Sequence, residues 1–157
     1  MSTAIALRQI GAPLAPLGLT PDLVMIECAL GALDTGFGMD RDLDADIYAA
    51  IGWQVSRGEI SRRRIAWRCR SPISATWEAL PSPTSSLDDA AHLVPYGWGW
   101  GAGKTFGTGR AWCREMRPRP GHEPRYSECE RLSPARALTA AALHAHRYLI
   151  LGSAGHG

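Results

Sequence analysis

No stretch of this chain approaches the roughly 20 consecutive apolar residues that a bilayer-spanning helix needs, so no membrane anchor is expected. The chain does not open on a basic region followed by an unbroken apolar run either. Pro13, Pro16 and Pro21 punctuate its start, and no secretory leader is expected. The four cysteines, Cys28, Cys69, Cys113 and Cys129, are therefore expected as free thiols in a reducing cytoplasm rather than as a disulfide frame. Lysine is nearly absent, with Lys104 standing against sixteen arginines. Together with the abundant alanine, that bias reads as GC-rich coding more than as a selected surface. The formal net charge is only +2, which excludes both a polyanion mimic and a polycation. There is no internal repeat.

The motifs of familiar chemistry are missing as well. GWGWGAGKTFGTGR is rich in glycine, but a phosphate loop ending at Gly103, Lys104 and Thr105 needs glycine at position 98, where the chain has Trp98. Phe-Gly-Thr-Gly follows Thr105 in place of a helix whose N-terminus would hold phosphate, so the run reads as a glycine loop between strands. Asp40, Asp42, Asp44 and Asp46 alternate as in a calcium loop. Ala45 occupies the sixth position where glycine is required and Ile51 the twelfth where glutamate is required, so a capped, solvated helix start is expected. His144 and His146 are two apart on a predicted helix and point to opposite sides. Cys113, His122 and Cys129 are too unevenly spaced for a recognised zinc site, and spacing alone does not decide whether folding brings them together. No cysteine has a base near it in sequence and no nucleophile elbow occurs. The expectation is a protein without catalytic residues, metal or cofactor.

What the chain does contain is a core. With 157 residues, 45% of them hydrophobic, and six tryptophans, it is long enough for one domain burying about 68–70% of its unfolded surface. Thr20-Pro21 reads as a helix start, followed by Leu23, Ile26, Leu30 and Leu33 on one stripe and a stop at Gly36; the stripe is expected to pack on its own domain. A second helix begins at Asp40 or Asp42, carries Leu43, Ile47 and Ile51, and stops at Gly52. Gln54 to Ser56 leads into an arginine-rich turn, and Ile65, Trp67 and Cys69 alternate with Ala66, Arg68 and Arg70 as in a half-buried strand. Arg110 to Met116 and Tyr126 to Arg131 are further strands, joined through the proline-rich loop RPRPGHEP. Ser133-Pro134 opens a last helix with Leu138, Ala142, Ala145 and Leu149 on one stripe.

The stretch from Trp77 to Trp100 organises the rest. Ser85 is placed as an N-cap with Asp88 three residues on, Leu87, Ala90, Ala91, Leu93 and Val94 form a short apolar face, and Pro95 stops the helix. Trp98 and Trp100 then share one face of a strand whose other face is bare glycine. Trp77, Trp98 and Trp100 are expected in the core with Leu87 and Leu93.

PTSSLDDAAHLVPYGWGW, preceded by GMDRDLDADIYAAIGW (Gly38 to Trp53) and followed by ERLSPARALTAAALHAHR (Glu130 to Arg147), resembles the phage ABA-sandwich domain family. The three blocks occur in order and cover about a third of the chain. The resemblance implies an α/β/α layered fold and a phage or prophage origin, and it brings no catalytic residues. With the pattern of elements, clustered strands and flanking helices, it leads to an α+β protein with a small, mostly antiparallel sheet. The expected division is an N-terminal extension over 1–38 with one amphipathic helix, an ABA-sandwich-like domain over 39–151 and a flexible tail over 152–157.

Charge is unevenly spread. Seven acids and one base, Arg41, lie between Asp22 and Asp46; six arginines against Glu59 lie between Arg57 and Arg70. The candidate partner-binding residues are Arg62, Arg63, Arg64, Trp67, Arg68 and Arg70. The functional expectation is a non-enzymatic phage accessory protein in the host cytoplasm, acting through a protein interface, as a monomer or weak homo-oligomer. One alternative is an anti-CRISPR or other counter-defence inhibitor. Another is a nucleic-acid-binding module using the arginine cluster, with weak, non-specific binding at most.

Overall fold

The computed structural model describes residues 20–36, 38–61 and 64–154. The chain is α+β. Helices α1 (Leu23–Leu33) and α2 (Arg41–Ala50) precede strands β1 (Gln54–Ser61), β2 (Arg64–Arg70) and the short β3 (Glu78–Ala79). Helix α3 (Leu87–Ala91), strands β4 (Trp98–Thr105), β5 (Thr108–Glu115) and β6 (Tyr126–Arg131), and helix α4 (Pro134–Ala154) follow. The strands divide between two antiparallel sheets of order β1-β2-β3 and β4-β5-β6, with helices packed against each. The expected lead-in over residues 1–19 lies outside the described residues.

Local chemistry sets the helix ends. The α1 cap is Asp22 rather than Thr20: its carboxylate accepts from Met25 N at 3.0 Å, while its own N–H donates to Ala50 O at 2.8 Å and ties α1 to the end of α2. Ile26, Leu30 and Leu33 of the expected stripe are buried against α2 and α4. Asp40 caps α2 by accepting from Leu43 N at 2.9 Å, and Gly52, at φ +95°, follows its end. The α3 cap is Ser86 and not Ser85. Its hydroxyl accepts from Asp89 N, and the Asp89 carboxylate turns away to accept from Ser82 N at 2.8 Å.

The glycine run expected as a loop is mostly strand. β4 pairs with β5 in unbroken register from Trp98 opposite Glu115 to Thr105 opposite Thr108. The connection is only Phe106-Gly107, with φ of 48° and 83°, the positive pair that a tight hairpin turn requires. Alternation in β5 puts Gly109, Ala111 and Cys113 inward and Arg110, Trp112 and Arg114 outward.

α4 is the centre of the molecule. Every residue from Ala135 to Leu143 is buried, including Arg136 and Thr139, so the single stripe expected for it is a fully wrapped helix. Six of its buried residues are alanines, and these let sheet β4-β5-β6, α3 and α1 all approach closely. Further along, Leu149 of the expected stripe is exposed, while Ile150 beside it packs against the core. Hydrogen bonds pin the approaches: Ser127 Oγ donates to Ala141 O at 2.8 Å, Thr139 Oγ1 to Pro83 O at 3.0 Å, and His146 Nε2 meets Leu93 O at 2.7 Å. Burial holds the His146 imidazole below its usual pKa, so it serves as a neutral donor.

Of the residues expected in the core, Leu93 is buried, and Leu87 and Trp98 are half-buried. Trp77 is half-buried on the far side of its sheet, and Trp100 is 41% exposed. Trp100 lies on β4, at the margin of its sheet, where no further strand follows among the described residues.

The loop before α3 is fastened to α2 by a buried carboxylate. Asp44 is fully buried; its Oδ1 accepts from Thr84 N at 3.0 Å and its Oδ2 from Arg41 Nη1 at 2.8 Å. Arg41 also donates to Pro81 O and Leu80 O at 2.9 and 2.6 Å and to Ser82 Oγ, and Thr84 Oγ1 accepts from Asp40 N at 2.9 Å. Burial raises the Asp44 pKa, and the bonds from Thr84 and Arg41 act against that rise.

Two substitutions test these contacts. Asp44→Ala leaves the Thr84 N–H buried without an acceptor, while Arg41 keeps its bonds to the loop, and is expected to lower the unfolding free energy by ~1–3 kcal/mol in a denaturant titration. At Gly109 an added Cβ would lie 2.1 Å from Pro134 N, on backbone that cannot swing aside. Gly109→Ala is expected to cost at least ~1–3 kcal/mol by thermal melting, whereas Gly103→Ala, with open space around it, stays close to neutral.

Candidate functional site

β1 and β2 form a hairpin whose two faces differ. Register places Gln54 opposite Arg70, Ser56 opposite Arg68 and Arg57 opposite Trp67. The face toward α2 carries Val55 and Cys69, with Trp67 half-buried beside them. The other face carries Arg68 and Arg70, and β3 brings Trp77 over it. The Arg70 guanidinium lies 5.1 Å from the Trp77 ring centroid and that of Arg68 lies 5.9 Å from it.

The two arginines play different parts there. Arg70 is only 3% exposed, departing from the expected outward alternation, because Trp77 covers it. One of its nitrogens bonds to Gln54 Oε1, while Nε and Nη1 have no hydrogen-bond partner. Arg68 is exposed. Neither has a carboxylate partner among the described residues, so the positive charge is held against an aromatic face without compensation. On the opposite face Arg57 stacks similarly on Trp67 at 5.8 Å.

The six sequence candidates thus do not form one patch. Arg68 and Arg70 come together, Trp67 lies on the other face, and Trp77 takes the place expected of it. Arg62 and Arg63 lie outside the described residues, and for Arg64 only the backbone is described. Sequence reasoning missed Trp77 as a site residue because β3 is two residues long and offers no alternation to read. The stronger signal was the spacing of Arg68 and Arg70, which places both on one face of a strand.

A concave region of about 390 Å³ opens elsewhere, where the loop after β5 meets the end of α4. Glu115, Arg119, His122, Glu123 and Arg125 line it with Leu149. Arg125 forks onto Glu115, donating from Nη2 to Oε1 at 2.9 Å and from Nε to Oε2 at 3.2 Å, and lies 5.6 Å from the Trp98 ring centroid. The hydrogen bonds from Arg125 hold the Glu115 carboxyl below its usual range. Its charges thus largely answer one another, and no hydroxyl or thiol among its lining residues offers a nucleophile.

Among the described residues no three His, Cys, Asp or Glu side chains are grouped as metal ligands. Cys113 and Cys129 are buried on the inner side of their sheet, and His122 is exposed in the loop, so the three do not meet. No described helix is long and apolar enough to cross a membrane. No family model, curated protein or solved structure matches the chain.

Burial pushes the Cys113 thiol up to about 12 and the Cys69 thiol up to about 11, and raises that of Cys129. Cys28 is exposed. A thiol reagent applied to the native protein is expected to label Cys28 rapidly and the other three only on unfolding, as read by mass spectrometry of the peptides.

Proposed function

We propose that the protein is a non-enzymatic binding protein whose partner surface is the arginine–tryptophan face of the β1-β2-β3 sheet. The observation that carries this reading is the stacking of Arg68 and Arg70 on Trp77 without a carboxylate for either among the described residues. Arginine and tryptophan supply much of the binding energy at protein interfaces when an acidic or aromatic group of the partner completes them. In this geometry Arg70 holds the ring from beneath, and Trp77 and Arg68 form the contact. A partner carboxylate meeting Arg68 bidentately gains from the Arg70 charge behind it.

The resemblance of the three sequence blocks to phage ABA-sandwich domains supports a phage accessory role in the host cell. Inhibition of a host defence complex is the narrower form of that proposal. A nucleic-acid module is the competing reading, since arginines also neutralise phosphates. The small net charge and the acidic Asp40 to Asp46 segment favour a protein partner.

Affinity capture from host lysate tests the reading directly. A partner retained by the unaltered protein is expected to be lost with Arg68→Glu, which melts as the parent does because Arg68 is exposed, and weakened with Trp77→Ala, which also melts lower because it uncovers Arg70. In gel shifts at physiological salt, oligonucleotides are expected to bind weakly and without sequence preference. Tight oligonucleotide binding that falls steeply with salt and vanishes in Arg68→Glu would assign the surface to nucleic acid instead.

A further inference from the structure

The second sheet ends on an unusual edge. Among the described residues β4 pairs with β5 on one side and with nothing on the other. Exposed edges are normally blunted by prolines, bulges, short length or inward charges, because their free N–H and C=O groups are templates for another strand. β4 has eight residues, no proline and no break in register, and its single charge, Lys104, sits near the tip. The other long edges differ. β1 carries a register shift between Glu59 and Ser61, and beside β6 Arg131 reaches across to Asp34 at 2.9 Å.

Which groups face the open side follows from the turn. In a two-residue hairpin the flanking residues, Thr105 and Thr108, exchange hydrogen bonds, and the bonded pairs then recur at every second residue. Gly103, Gly101 and Gly99 therefore face β5, a phase that continues to the bond from Met116 N to Gly97 O at 3.0 Å. Trp100, Ala102 and Lys104 direct their N–H and C=O groups outward. Trp98 agrees, since its N–H is turned away from β5 to Pro95 O at 3.1 Å.

We propose that this edge pairs with the same edge of a second copy of the chain, antiparallel and centred on Gly101, joining the two sheets into one. The register follows from self-complementarity. Antiparallel pairing must match outward-facing residues with each other, which confines the two-fold to positions that place even numbers opposite even numbers. Centring on Gly101 uses the whole strand from Trp98 to Lys104 and keeps both hairpin tips clear. Trp100 then exchanges two backbone bonds with Ala102 of the partner subunit, and that small side chain accepts the half-exposed indole. Lys104 falls opposite Trp98 of the partner subunit, a cation beside an aromatic ring. On the reverse face both strands present glycines, with Met116 lying over Gly99 and Trp112 over Gly101. The Trp112 indole covers Gly101 closely enough that an added Cβ would meet its Nε1 at 2.5 Å, so only glycine fits at the two-fold. The interface is isologous and closes as a dimer.

Sedimentation or light scattering across a concentration series tests the proposal. The mass is expected to rise from 17.0 kDa towards twice that value. Ala102→Pro removes an N–H that the β4-β5 ladder does not use, so the monomer is expected to fold while dimerisation weakens by on the order of tenfold or more, two hydrogen bonds being lost per dimer. Trp100→Lys is expected to act in the same direction. Should the proline variant fail to fold, amide hydrogen exchange on the unaltered protein decides. The N–H groups of Trp100, Ala102 and Lys104 are expected to gain protection with concentration while those already paired to β5 do not. A protein monomeric up to millimolar concentration overturns the proposal. So does a dimer indifferent to both variants, or concentration-dependent protection confined to other strands.

Discussion

The contact on which the rest depends is the Asp44 carboxylate, held between Thr84 N–H and Arg41. A charge taken fully out of water is costly unless it is paired and hydrogen-bonded, and here a backbone N–H meets one oxygen and a guanidinium the other. The result fastens α2 to the loop before α3, and the same loop reaches α4 through the bond from Thr139 to Pro83 O. One short segment therefore relates the half of the molecule carrying the β1-β2-β3 sheet to the half built on α4. Arg41 contributes by donating to two carbonyls of that loop as well as to Asp44.

Much of this was legible in the sequence where the signal was local. Asp40 caps its helix, Pro134 opens α4, and Gly52 lies just past the end of α2, because each of those residues has few alternatives to the conformation it adopts. The strands Arg110 to Met116 and Tyr126 to Arg131 were readable from alternation. What escaped was set by long-range packing. Gly101 to Thr105 has the composition of a loop and becomes strand because β5 supplies an unbroken partner. The α4 stripe was read as one face, but alanine is small enough to be buried on any face, so periodicity does not reveal a helix surrounded by neighbours. Asp44 read as one solvated carboxylate among four, since its partner Thr84 is forty residues away.

The candidate surface divides in the same way. Spacing in β2 put Arg68 and Arg70 together, which the fold retains. Their aromatic partner was misassigned to Trp67, the nearest tryptophan in sequence, because the approach of Trp77 depends on a strand too short to announce itself. The burial of Arg70 follows from that same approach. An arginine in alternation with a half-buried strand is ordinarily a solvent-facing group, and only a ring laid across it makes it a second layer beneath the contact surface.

The placement of α4 has a consequence for how the chain is made. It follows every other described element in sequence, yet it occupies the middle of the core. A ribosome adding ~5–20 residues per second therefore releases two sheets and three helices some seconds before the element that unites them. Until then Ala111, Cys113 and Cys129 face outward from an uncovered sheet, and the α1 stripe lacks part of its cover. The early chain can form hairpins and caps but not the finished core. The core can close only once α4 is available, and until then the apolar sheet faces that it covers are the surface a chaperone would shield.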